Sequence, residues 1–272
     1  MAYWVNNLDP VIWHIGGALA IRYYGVAYVL AFWCSWILLR RLNRDGAALG
    51  IKDEGAESAL LLAFFLGAVA GGRIGYFVFY DFQGWLRDPL SVFRVWEGGM
   101  SSHGGFVGAI AGAGWVSATR RIGFWRVTDT LCVLTPPGFF LGRIANFVNG
   151  ELWGKIAHVP WAVIFPASAV PGTPTDQIPP RHPSQLYEAL LEGVILFVWA
   201  RWRFGRTRGE KPGPGALSGE FLMVYAVLRI VSEMFRAPDA PLILGLSRGV
   251  FYSLWMILAG FLIRFVMRGH RR

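Results

Sequence analysis

Seven apolar runs divide the chain, at about 17–39, 57–79, 102–118, 127–146, 186–200, 216–235 and 249–267. An α-helix needs roughly 17 to 25 apolar residues to cross a bilayer, and the run at 186–200 is the shortest and the least sharply bounded. The pattern predicts an all-α integral membrane fold with seven transmembrane helices. One connection differs from the rest. Residues 147–185 are rich in Pro, Gly, Trp and polar side chains, and Pro160 to Pro166 reads as a short extended stretch. Loops of that length are usually functional or disordered. We therefore expect 147–185 to form a small extracytoplasmic cap between the fourth and fifth spans, on a single polytopic domain covering 1–272.

Charge then sets the orientation. Sixteen Lys and Arg residues lie in the connections after the first, third and fifth runs and in the C-terminal segment, against six in the alternate connections. The positive-inside bias places the C-terminus in the cytoplasm and the N-terminus outside. Asp9 and no basic stretch precede the first run, so that run reads as a span and not as a cleavable signal peptide. Charged residues make up 16% of the chain, below the roughly 25% of soluble domains. A net charge of +9 would suit nucleic acid, but the basic residues sit in short clusters between apolar runs, and no nucleic-acid partner is expected. Cys34 and Cys132 fall inside apolar runs, which argues against a disulfide framework or thiolate metal site and for two buried, inert thiols.

Against this background the polar groups within the runs stand out. Under the orientation above, Arg22, Arg73, Arg143, Arg229 and His103 all map to the outer half of the membrane. An intramembrane arginine is costly without a partner or an anionic ligand. Arg143 and Asn146 are three residues apart and share a helix face, at the start of the dense polar turn Gly142 to Gly154. Tyr225, Arg229, Glu233 and Arg236 form a second stripe. Two readings of it stay open: an Arg229–Glu233 ion pair that holds the bundle, or a glutamate orienting an arginine fork toward phosphate oxygens. Arg22 either snorkels to the interface or meets ligand, and Arg73 either pairs structurally or serves the chemistry. His103, among glycines, has an ordinary pKa of about 6.5 that suits a general base. Gly104, Gly108 and Gly112 form a small-residue ridge for tight helix packing. His182 is expected to position the cap and Ser184 to cap the fifth span.

There is no metal-ligand spacing and no nucleotide loop, so neither a metal nor another cofactor is expected. Arginines, a histidine and an asparagine at the outer face suggest work on a phospholipid headgroup. A retinal-type protein is disfavoured because Lys52, Lys155 and Lys211, the only lysines, lie outside the runs. A phospholipid or anion transporter is the alternative, but it would place polar groups near the midplane and along both halves of a path.

Several motifs appear together in order: Tyr23-Tyr24-Gly25, Gly71-Gly72-Arg73-Ile74-Gly75-Tyr76, Phe93 to Ser101, His103-Gly104-Gly105, Gly142 to Gly154, Arg181 to Glu188, and Arg229 to Asp239. In these the chain resembles the prolipoprotein diacylglyceryl transferase family over essentially its whole length. The resemblance implies transfer of diacylglycerol from phosphatidylglycerol to the lipobox cysteine in a prolipoprotein signal peptide, forming a thioether and releasing glycerol phosphate. It implies a multi-pass protein of the bacterial plasma (inner) membrane, among membrane lipids, with its active site toward the outer leaflet. His103, Arg143 and Arg229 carry over as catalytic groups. Tyr24, Asn146, Glu151 and Gly154 match functionally important positions, and Arg73, Tyr225 and Glu233 are taken with them as substrate-binding. Arg22 stands where many relatives carry histidine.

Overall fold

The computed structural model describes residues 3–16, 19–44, 46–50, 53–94, 98–207, 213–238 and 241–269. Lys52, Arg208, Lys211, Arg271 and Arg272, used above for orientation, lie outside the described residues, as do Val95 to Glu97 and Asp239 of the motifs. In chain order the elements are β1 (Trp4–Val5), β2 (Val11–Gly16), β3 (Leu19–Arg22), α1 (Tyr23–Leu42), α2 (Glu54–Phe79), α3 (Phe82–Arg87) and α4 (Ser102–Arg120). There follow α5 (Phe124–Leu134), α6 (Pro136–Val148), β4 (Val163–Ile164), α7 (Ser184–Glu188), a π-helical segment Ala189–Ile195, α8 (Leu196–Thr207), α9 (Ala216–Glu233) and α10 (Arg248–Gly269).

Every apolar run carries helix, although in the first, 17–39, residues 19–22 form a strand and helix begins only at Tyr23. Four segments, Tyr23–Leu42, Glu54–Phe79, Phe124–Val148 and Arg248–Met267, are long and apolar enough to cross a membrane by length and composition. The protein is thus mostly helical and multi-pass. Glycine dilutes the apolar character of α4, and Glu220, Arg229 and Glu233 interrupt α9. Helix α1 begins later than the first run: β2 and β3 pair antiparallel, with Val11 opposite Arg22. Arg22 therefore ends a strand, exposed, and is not inside a helix. Pro136 and Pro137 break the run 127–146 into α5 and α6, because proline lacks the N–H that would continue the ladder.

The chain divides into two compact units, residues 35–130 and the rest. In the first, Asp53 caps α2 by accepting from the Gly55 N–H at 2.8 Å, and Ser101 caps α4 by accepting from Gly104. Helices α2 and α4 pack backbone to backbone. A Cβ on Gly108 would run into the Gly67 carbonyl oxygen, one on Gly71 into that of Gly104, and one on Gly112 into that of Ala63. The ridge expected from Gly104, Gly108 and Gly112 is thus matched by a complementary stripe on α2.

In the other unit β1 pairs in parallel with β4, Trp4 opposite Val163, so the N-terminal segment is tied to 147–185. Short bridges join Gly154 to Arg236, Ile156 to Arg181 and Val163 to Arg181. The helices present large apolar side chains outward, as lipid-facing helices do: Trp255, Phe261 and Phe265 of α10 are all exposed, as is Cys34, expected to be buried. Their interior is polar instead. Ser184, Gln185, Glu188 and Glu192 are each at most 1% exposed.

Candidate active site

Buried carboxylates must be paired or bound, since an isolated ionised one in a low-dielectric interior is strongly unfavourable. Glu188 and Glu192 are paired by arginines from two other helices. Arg143 of α6 places Nε 2.9 Å from Glu188 Oε2 and Nη2 3.4 Å from Glu192 Oε2. Arg229 of α9 places Nη1 2.8 Å from Glu188 Oε2 and 3.1 Å from Glu192 Oε1. Its Nη2 lies 2.7 Å from Glu233 Oε2, four residues on. Arg236, just past the end of α9, adds Nη1 at 3.3 Å from both oxygens of Glu188. Three arginines therefore meet three carboxylates. Ser232 donates to Glu192 Oε1 at 3.0 Å and fixes that oxygen further.

The π-helical segment follows directly on Glu188. Wider turns of this kind occur mostly as local bulges, often at functional sites. It lies against α6: a Cβ on Gly193 would come within 2.6 Å of the Phe140 Cβ and 2.9 Å of its Cα. Only glycine permits that approach, and Phe140 is one turn before Arg143.

One turn beyond Arg143 lies a second polar knot. Tyr24 donates its hydroxyl to Glu151 Oε1 and accepts from the Asn146 side-chain amide in short contacts. Asn146 also donates to Glu151 Oε1 at 2.9 Å. Arg143 is within electrostatic reach of both Tyr24 and Tyr225, and Tyr225 also of Glu188, Glu192 and Arg229. Arg143 keeps Nη1 without a partner among the described residues and is 21% exposed, so it retains a donor for an anion.

Gly154 sits where chain segments converge. A Cβ there would fall 2.5 Å from the His182 carbonyl oxygen and 2.7 Å from that of Phe235, so a side chain would part them. His182 accepts from the Gly154 N–H at 2.9 Å and packs edge-on to Tyr187 and Phe235. Burial lowers its pKa below the usual histidine value. Ser184 is the first residue of α7 and does not cap it. Its hydroxyl donates to the Leu152 carbonyl at 3.0 Å, tying the helix start to the turn after α6.

Arg73 and His103 belong to the 35–130 unit. Arg73 is 4% exposed and donates to the backbone carbonyls of Ser91, Val92, Arg94, Gly98 and Gly99. Gly98 and Gly99 take φ of 82° and 77°, which turns those carbonyls toward it. Five N–H donors thus meet five carbonyls, so this guanidinium clamps the segment before α4 and has no donor left for a headgroup. His103 is exposed in the first turn of α4, directly after that segment.

The structure therefore brings together Tyr24, Arg143, Asn146, Glu151, Tyr225, Arg229 and Glu233. Glu188 and Glu192 had been given no role from sequence. The signal was present as two carboxylates four apart within an apolar run, the spacing of one helix face.

Comparison with known proteins identifies the family. Residues 10–266 match the family described as prolipoprotein diacylglyceryl transferase. The chain is 44% identical over 266 residues to the phosphatidylglycerol–prolipoprotein diacylglyceryl transferase of Pasteurella multocida, covering 96% of this chain and 92% of the relative. Its similarity to the enzyme of the same name from Idiomarina loihiensis is 44% over 265 residues, 96% of this chain and 94% of the relative. For that of Vibrio cholerae it is 45% over 262 residues, 94% and 90%. With a match spanning almost its entire length, the chain belongs to the prolipoprotein diacylglyceryl transferase family.

Proposed function

We propose that this protein transfers the diacylglyceryl group from phosphatidylglycerol to the lipobox cysteine thiol of a prolipoprotein, the first step of bacterial lipoprotein maturation. The observation that carries the reading beyond family membership is the convergence of Arg143 and Arg229 on Glu188 and Glu192 beside the Tyr24–Asn146–Glu151 knot. Carboxylates hold two guanidiniums at fixed positions, and Arg143 keeps Nη1 for a phosphate oxygen.

The proposed reaction is a displacement at carbon. The cysteine sulfur attacks the glycerol carbon that bears the phosphate ester, a C–S bond forms, and the C–O bond breaks. Its electron pair leaves with glycerol phosphate. Arg143 and Arg229 stabilise the charge gathering on the departing phosphate oxygen, and fixed donors do this without reorganising. A thiol of pKa about 8.5 is mostly protonated at neutral pH; the role of base is assigned to His103, directly or through water, the alternative being that the arginines acidify the thiol and His103 only positions lipid. A His103→Gln enzyme that keeps full activity and an unchanged pH–rate profile would remove that role. Gly154 and Glu151 hold the turn that supports the substrate side.

The protein is read as a seven-span component of the bacterial plasma membrane, N-terminus outside, with 147–185 as an extracytoplasmic cap and the site toward the outer leaflet. The bridges linking 154–163 with 181 and 236 support a folded cap. The test of function is mass spectrometry of a lipobox peptide incubated with purified protein and phosphatidylglycerol. A diacylglyceryl mass gain on the cysteine, absent with Arg143→Ala, is expected. No gain with folded, lipid-loaded protein would favour lipid binding or transport.

A further inference from the structure

At the end of α9 remote from Arg229, Glu220 gathers two other arginines. Arg203 of α8 donates Nε to Oε2 at 2.6 Å and Nη2 to Oε1 at 2.8 Å, and Arg264 of α10 donates Nε to Oε1 at 3.0 Å. Two guanidiniums share one carboxylate, which leaves a surplus positive charge. Nη1 and Nη2 of Arg264 have no partner among the described residues, although the side chain is only 19% exposed. Arg264 and Glu220 also line a cavity of about 320 Å³ whose other walls are Met223, Phe261 and Phe265. The two phenylalanine rings stack with centroids 6.5 Å apart, and both are exposed on the apolar face of α10.

The cavity therefore combines unsatisfied guanidinium donors at one edge with an apolar wall along a membrane-facing helix. An arginine held among apolar groups calls for an anion, and its fork matches two phosphate oxygens at once. A water-soluble phosphate would satisfy the donors but leave the phenylalanines uncovered; an acyl chain covers them. Glu220 precedes Arg229 by two and a half helical turns, about 14 Å along α9, so this cavity is separate from the transfer cluster.

We infer that the cavity lined by Glu220 and Arg264, whose Glu220 is also held by Arg203, binds the phosphate of an anionic phospholipid, with an acyl chain against Phe261 and Phe265. Only the naming of its leaflet, the cytoplasmic one, rests on the orientation proposed above. A net-negative headgroup neutralises the surplus charge, whereas a zwitterionic one brings its own cation.

The experiment is photo-crosslinking in nanodiscs with a phosphatidylglycerol analogue carrying a diazirine on one acyl chain, followed by peptide mapping of α10. Label on the peptide containing Phe261 and Phe265 is expected to exceed that from the matching phosphatidylcholine analogue. It should fall roughly fivefold in Arg264→Gln, the effect of one basic side chain near a membrane surface. Glu220→Gln, which frees both arginines from their shared carboxylate, should raise it. Arg143→Ala should leave it in place. Equal labelling by both analogues, unchanged in Arg264→Gln and Glu220→Gln, would mean annular lipid and overturn the inference. Displacement of the label by millimolar glycerol phosphate would make it a soluble-anion site, and loss of label in Arg143→Ala would merge it with the transfer cluster; either result overturns it.

Discussion

Arg143 and Arg229 meet at a single oxygen: Nε of Arg143 lies 2.9 Å and Nη1 of Arg229 2.8 Å from Oε2 of Glu188. Like charges held this close would repel, and the shared carboxylate turns the repulsion into a fixed pair. Arg236 approaches the same carboxylate from beyond the end of α9. Glu188 thus sets the separation of the two cations that a phosphate would bridge.

Replacing Glu188 with glutamine keeps the shape and removes the charge that three arginines surround. Breaking a buried pair by removing one partner typically costs about 3–5 kcal/mol. We expect a clear fall in the thermal midpoint of the purified protein, with transfer falling as well. A midpoint equal to that of the unaltered protein would show that the arginines do not depend on Glu188.

Arg143→Ala should lower transfer by about 10²–10³-fold, the usual effect of deleting one preorganised donor to a developing oxyanion. Arg143→Lys keeps the charge but loses the planar fork that bonds Glu188 and Glu192 together, so it should restore little. Initial rates with a lipobox peptide measure both. Full activity in the lysine variant would reduce the role of Arg143 to charge alone.

Gly193→Ala tests the spacing between the π-helical segment and α6. The added methyl would meet Phe140 at 2.6 Å, and overpacking of this kind costs about 1–3 kcal/mol. Because Phe140 and Arg143 share α6, the rate constant should fall more than the apparent lipid affinity. Gly142→Ala, where a Cβ meets nothing within 4 Å, is the control.

In the 35–130 unit, Gly108→Val should be strongly destabilising, since its Cβ would enter the Gly67 carbonyl, whereas Gly114→Ala has open space and should be neutral. Thermal unfolding of the two variants separates a packing role for the ridge from mere small-residue composition.

His182 contributes a pH dependence to the 147–185 segment. Burial lowers its pKa, so the folded state prefers neutral imidazole and the unfolded state takes up a proton first. Stability from this group is present above its unfolded pKa, about 6.5, and is lost as pH falls through the lower folded value. Thermal unfolding followed by tryptophan fluorescence, which reads all thirteen tryptophans, should show the midpoint falling between pH 7.5 and 5. The fall should be shallower in His182→Asn; parallel profiles would assign it to other groups.

The sequence alone determined the membrane setting, the mostly helical build, the α4 glycine ridge and the two arginine-bearing faces. These depend on local composition and on periods of three or four residues, and both are written along the chain. Tertiary structure decided what those faces meet. Glu188 and Glu192 are ordinary within a hydropathy pattern, and only the convergence of α6, the π-helical segment and α9 makes them the partners of Arg143 and Arg229. Arg73 and Arg143 both read as intramembrane cations, yet one is saturated by five backbone carbonyls and the other keeps a free donor. A side chain's commitments depend on groups far away in sequence, brought near by packing, and no local pattern encodes them.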